Sequence, residues 1–219
     1  MKIFDVTIPV SEATPVWEGE KGVVIQRSAE IGEQSDYNVS YITLGLHTGT
    51  HLDAPFHVHK AGKTVDMIPI EKLIGPVQIV EIPKSAVVID HTTLAGMEID
   101  ESIKRILFKT ENSNYWNDNL AQFTRNYIAL NTSGAEYLVS LGIEMVGIDF
   151  FSISDYHDLI NPHKILLEKG VVVIENLDLR AVSAGVYQFY CFPLKVIGTD
   201  GAPVRAVLIS GQYPDTGKV

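Results

Sequence analysis

Between positions 46 and 60 the chain reads L-H-T-G-T-H-L-D-A-P-F-H-V-H-K, which places four of its seven histidines in one short stretch. Odd positions from 47 onward hold His47, Gly49, His51, Asp53, Pro55, His57 and His59, whereas even positions hold Thr48, Thr50, Leu52, Ala54, Phe56 and Val58. In extended backbone successive side chains point to opposite faces, so this alternation sends the imidazoles and the carboxylate to one side and core-forming residues to the other. The inward set is expected to begin earlier, with Ile42, Leu44 and Leu46, and Gly49 and Pro55 are expected to bend the path. His47 and His51 also have helical spacing, but the intervening Thr-Gly-Thr is a poor helix former and no Glu follows the first His. Several imidazoles and a carboxylate facing one space repel when the rings are protonated, and a cation reverses the balance. The tract therefore reads as a metal site built on extended or irregular backbone, with His59, beside Lys60, as the bystander.

The rest of the chain is ordinary for a globular protein. Its 219 residues, 46% hydrophobic and 20% charged, suffice for a full core in one domain over residues 1–219, with no staple needed merely to fold. A net charge of −10 without a basic run argues against nucleic-acid partners and anionic membranes. The single cysteine, Cys191, sits between Tyr190 and Phe192 and reads as a buried thiol. With no long apolar run and an acid already at Asp5, neither a signal peptide nor a membrane span is expected, which points to a soluble, cytoplasmic protein.

Short β-branched runs predict strands at 22–26, 77–82, 104–108, 126–130, 145–148, 171–174, 187–196 and 204–209. One helix is expected over 132–141, capped by Thr132 or Ser133 and stopped at Gly142; a second over 161–169, with Asn161 as cap and Pro162 in the first turn, stops at Gly170. The strand at 145–148, the second helix and the strand at 171–174 form a candidate parallel crossover, and 187–196 with 204–209 an antiparallel hairpin. The fold class is thus α/β with a mixed sheet. Residues 111–126, polar with embedded aromatics, read as a surface excursion.

Two more residues have metal-ligand chemistry. His163 falls in the first turn of the second helix and Glu175 ends the strand after it, so both can reach the carboxyl edge of the sheet. Taken alone, each reads as a solvated surface residue. Neither a G-x-S-x-G nor a phosphate-cradling glycine loop occurs, so activation of water by a cation is the stronger chemistry: such an ion lowers the pKa of bound water from about 15.7 to near 7. His51, Asp53 and His163 alone would also satisfy the two-His-one-carboxylate pattern of non-haem iron oxygenases, and a non-catalytic metal-binding protein is a third reading.

The sequence resembles the metal-dependent cyclase/hydrolase family that includes bacterial kynurenine formamidase and isatin hydrolase. H-T-G-T-H-L-D-A-P-F-H at 47–57 is similar to its signature H-x-G-T-H-x-D-x-P-x-H, supported by G-I-D at 147–149 with Ser152 following, by H-K-I-L-L-E-K-G-V-V-V-I-E-N-L at 163–177, and by F-D-V-T-I-P-V at 4–10 with T-P-V-W at 14–17. The resemblance implies a swivelling β/β/α fold assembled as a homodimer or larger homo-oligomer. It implies zinc or manganese, two ions per subunit, held by His47, His51, Asp53, His163 and Glu175, with Asp53 bridging. It further implies His57 as catalytic acid/base, Trp17 lining the substrate pocket, and hydrolysis of a small C–N amide such as N-formylkynurenine or isatin. The formamidase branch typically shows W-P-G-D where this chain has Trp17-Glu18-Gly19-Glu20, which leaves the specific substrate open.

Overall fold

The computed structural model describes residues 1–116 and 123–211. Ten strands, β1 (Lys2–Asp5), β2 (Val24–Ala29), β3 (Val39–Thr43), β4 (His51–Asp53), β5 (Ile74–Glu81), β6 (Arg105–Lys109), β7 (Met145–Ile148), β8 (Val172–Glu175), β9 (Gly185–Pro193) and β10 (Gly201–Ser210), alternate with three helices, α1 (His91–Ala95), α2 (Thr132–Ser140) and α3 (Asn161–Glu168). Strands β5, β6, β7 and β8 are parallel neighbours in that order. Antiparallel β4 follows β8, β10 pairs with β4, and β9 pairs with both β10 and β5, which closes a seven-stranded barrel. β1 adds to the far end of β10, and β2 and β3 form a separate hairpin. This is the mixed α/β arrangement expected.

Strand alternation sorts the core into two layers. Leu52, Leu107, Met145, Val172, Ile174, Phe189 and Cys191 fill the barrel. Ile106, Phe108, Val146, Ile148 and Val173 face outward against Leu138 of α2 and Leu166 and Leu167 of α3. β4 and β8 present the same outer face, with His51 directly opposite Glu175 in the register. The site is therefore built where the barrel's outer face meets the helix layer.

Several expectations need correction. Residues 126–130 form no strand: Leu130 makes only isolated bridges to Ile89 and Ser154, because β6 already has neighbours on both edges and no ladder is open to it. The inward set does not begin at Ile42. That residue lies on the separate hairpin, where it is exposed, and the tract's apolar core residues are Leu52 and Ala54, within a stretch buried throughout from Thr48 to Ala54. The extended stretch is short, confined to β4, between a turn bent by Gly49 at φ +64° and a 3-10 turn over Pro55–His57. α2 is capped by Asn131, whose side chain accepts from the Gly134 amide, not by Thr132 or Ser133. Asn161 lies inside α3 and donates to Asp158 instead of capping. Of the 111–126 segment, residues 111–116 are not a surface excursion, since Asn112, Ser113 and Trp116 are buried. The buried Asp149 carboxylate accepts from Thr110 and Ser113, and the Trp116 ring N–H donates to the Asp149 carbonyl, pulling this turn inward. Residues 117–122 of that segment lie outside the described residues.

Candidate metal centre

Asp53, on β4, is the centre of the cluster. One carboxylate oxygen lies 2.8 Å from His47 Nδ1 and 3.4 Å from His51 Nε2, and the other 3.5 Å from His163 Nε2. Glu175, at the end of β8, places Oε2 3.3 Å from His51 Nε2 and Oε1 3.2 Å from His163 Nε2. The five side chains that the resemblance pairs thus converge from two strands, a turn and the first turn of α3. His57 joins them at the edge, its ring centroid 4.3 Å from that of His47 and 5.7 Å from that of His163. His59 and His157 are exposed, and His91 packs on Tyr137; none of the three joins the cluster.

The outer contacts fix how these groups point. His51 Nδ1 donates to the Gly49 carbonyl at 2.9 Å, so in the neutral ring the lone pair available to a cation is at Nε2. His163 Nδ1 lies 2.8 Å from the Leu159 carbonyl and 2.6 Å from Ser154 Oγ, with the same consequence. Glu175 Oε1 accepts from the Ile153 amide at 2.6 Å. Asn176, the one described non-glycine residue at positive φ (57°), donates to the Gly49 carbonyl and accepts from Thr50 Oγ1. It ties the turn carrying His47 to the strand end carrying Glu175.

Sequence reasoning missed Asp200. This residue precedes β10, and its carboxylate sits 2.8 Å from His47 Nε2 and 3.6 Å from His57 Nδ1. Only its setting in a hairpin loop, 153 positions from His47, hid it; a lone acid between Thr199 and Gly201 carries no pattern. Gly201, beside it, is required by close approach, because a Cβ there would meet His47 Cε1 at 2.7 Å.

The electrostatics are those of a site built around positive charge. Burial disfavours protonated rings, yet the carboxylates of Asp53 and Asp200 raise His47 to about 11. Against the same burial, Asp53 and Glu175 raise His51 to about 9 and His163 to about 10. Burial would raise the Asp53 carboxyl, but the charge of His47 and the nearby rings of His163 and His51 hold it well below the carboxylate range. The His47 hydrogen bond draws Asp200 down to about 2. His57 moves the other way: burial lowers it, and although Asp53 and Glu175 pull it up, the His47 and His163 charges add to the lowering. His51 Nε2 and both Asp53 oxygens are buried without a hydrogen-bond partner among the described residues. Buried polar atoms left this way are costly, and three of them aimed at one point fit a cation. Two overlapping donor groups, His51 with Asp53 and Glu175, and His47 with Asp53 and His57, lie close enough to share ions. Imidazole and carboxylate are the ligand set of a divalent metal.

Above the cluster lies a cavity of about 270 Å³. Its apolar walls include Val16, Trp17, Leu46, Val58, Phe151 and Ile160, and its polar lining includes Glu20, Thr48, Ser152 and His57 beside the cluster itself. Trp17 stacks on Tyr156 at 6.2 Å between centroids and meets Phe123 edge-on at 4.7 Å.

The comparisons agree with this architecture. The chain matches the family model "Putative cyclase" over residues 4–155. It is 33% identical to a kynurenine formamidase of Salinibacter ruber (strain DSM 13855 / M31), over 98% of this chain and 100% of that protein. A solved structure of a potential metal-dependent hydrolase with cyclase activity superposes with a TM-score of 0.81 at 34% identity, covering 94% of this chain and 96% of that one. An isatin hydrolase bound to the product analogue thioisatinate has the same fold, with a TM-score of 0.80 at 20% identity over 96% of this chain and 93% of that one. With most of its length matched by the family model and a relative aligned to it from end to end, the chain belongs to the cyclase family.

Proposed function

We propose that this protein is a metal-dependent hydrolase of a small aromatic C–N amide, open-chain as in a formanilide or cyclic as in isatin. The observation that carries the reading is the convergence of His47, His51, Asp53, His163 and Glu175 at the floor of an apolar cavity, with His57 beside them. These five would hold divalent zinc or manganese, which when bound activates water and polarises a carbonyl. The rest of the chemistry falls to the chain. The apolar walls bury the ring of the substrate and exclude bulk water, and Trp17 offers a flat face for it. His57 is the proton carrier. Its lowered pKa keeps it neutral near pH 7, and Nδ1 faces Asp200, so Nε2 is the atom that takes a proton from water and returns it to the leaving nitrogen. The relative named as a kynurenine formamidase and the solved metal-dependent hydrolase support the reaction class. An iron oxygenase would need only His51, Asp53 and His163, and would leave His47 and Glu175 packed into the same cluster without a role.

The test uses purified metal-loaded enzyme with formanilides, isatin and cyclic amides, run with and without oxygen. Oxygen-independent hydrolysis is expected. The His57→Ala variant should retain its metal by elemental analysis while turnover falls about 10²- to 10⁴-fold, the usual worth of a positioned acid/base. Full activity in that variant would sink the mechanism, and loss of metal together with activity would make His57 a ligand instead.

A further inference from the structure

The cavity carries a charge pattern that selects among amides. Resting on the hydrolase reading above, the geometry points to Glu20 as a specificity-determining residue that favours substrates with a positively charged or neutral ring substituent and rejects those with a carboxylate. Glu20 lines the cavity, in the turn closed by its backbone N–H to the Trp17 carbonyl at 2.9 Å. Its exposed side chain has no hydrogen bond or ion pair among the described residues. Its Oε2 would lie 3.7 Å from a Cβ at Gly45, another wall residue.

No lysine or arginine balances Glu20 on the same wall among the described residues. The basic side chain tied to this wall is Arg125, which lies over the Tyr156 ring at 5.2 Å, and Tyr156 in turn stacks on Trp17. That guanidinium is already occupied: it holds Glu18 in a fork, with Nε at 3.1 Å and Nη2 at 2.7 Å. Glu18 and Arg125 therefore neutralise each other, and Glu20 keeps no ion-pair partner among the described residues. A substrate carboxylate extending from the ring toward Glu20 would meet this charge with no Lys or Arg among the described lining residues to pair it, whereas an ammonium would find an open carboxylate next to an aromatic wall.

The experiment compares three para-substituted formanilides, carrying aminomethyl, hydroxymethyl and carboxymethyl groups, on the metal-loaded enzyme and its Glu20→Gln and Glu20→Lys variants. The kcat/KM order is expected to be cation, neutral, anion, with about five- to tenfold between the extremes, since an exposed pair is worth little in water. Glu20→Gln should collapse that ratio and Glu20→Lys should invert it. Equal rates for the cationic and anionic substrates, or an order unchanged in Glu20→Gln, would overturn the inference. Calorimetric binding of the three parent anilines reads the same selection without turnover. If the neutral formanilide is not hydrolysed, the hydrolase reading fails, and the order of the anilines then decides the role of Glu20 alone.

Discussion

His47 is gripped from two sides, by Asp53 at Nδ1 and by Asp200 at Nε2. A carboxylate on the far nitrogen of a ligating imidazole fixes ring orientation and raises its basicity, and removal of such an outer partner typically costs 10- to 100-fold in metal affinity. Asp200→Asn preserves the shape and removes the charge. Chelator competition is expected to show metal held about 10- to 100-fold more weakly, with little change in the unfolding midpoint, because Asp200 is 43% exposed and carries no core packing. An unchanged affinity would leave Asp200 as a mere surface acid. Single residues were unevenly legible here. His47, His51, Asp53 and His57 announced themselves through density and alternation. Asp200 could not, since its meaning lies entirely in a contact across 153 positions.

At the level of elements, β4 and β10 meet at the site through the pair Asp53 and Gly201. The strand start must be glycine because any side-chain carbon would enter the space of the His47 ring, at 2.7 Å from Cε1 and 2.9 Å from Nε2. Gly201→Ala should therefore leave the barrel folded by circular dichroism while displacing His47. Turnover is expected to drop by about 10²-fold, the cost of a misplacement near 1 Å. A crystal structure of the variant with His47 unmoved would contradict this. Elements with strong local patterns, such as α2, α3 and the β9–β10 hairpin, were readable from periodicity and from Gly142 and Gly170 as stops. The segment at 126–130 has equal strand propensity but no free edge to pair with, a condition set by the neighbours of β6 and invisible locally.

For the whole molecule, the cluster links metal, protons and stability. Without a cation, His47, His51 and His163 hold protons with pKa values of about 11, 9 and 10, all above the ordinary 6.5. Groups raised in the folded state contribute stability that is present in full below about 6.5 and lost as pH rises through about 9 to 11. Metal-free protein should accordingly lose stability over that alkaline range in urea titrations. The loss should be smaller in His47→Gln, and an equal loss in both would refute the assignment. Metal loading near neutral pH should release protons, since the ion replaces them, and calorimetry in buffers of different ionisation enthalpy reads that release.

Residues 47–57 by themselves determined that one face of a short extended stretch would carry imidazoles and a carboxylate, and with the blocks at 147–149 and 163–177 they carried the family resemblance. Periodicity of 2 and 3.6 is a local property, so the α/β class and most strands followed from it. The tertiary structure alone decided that β9 would close the sheet into a barrel by pairing with both β5 and β10. It alone decided that Glu175 would face His51 across the β4–β8 register, and that Glu18 would take Arg125 while Glu20 keeps no ion-pair partner among the described residues. The physical reason is the same in each case: strand pairing and charge pairing are contacts between distant segments, and a local pattern specifies what a face can bind but not which face it meets.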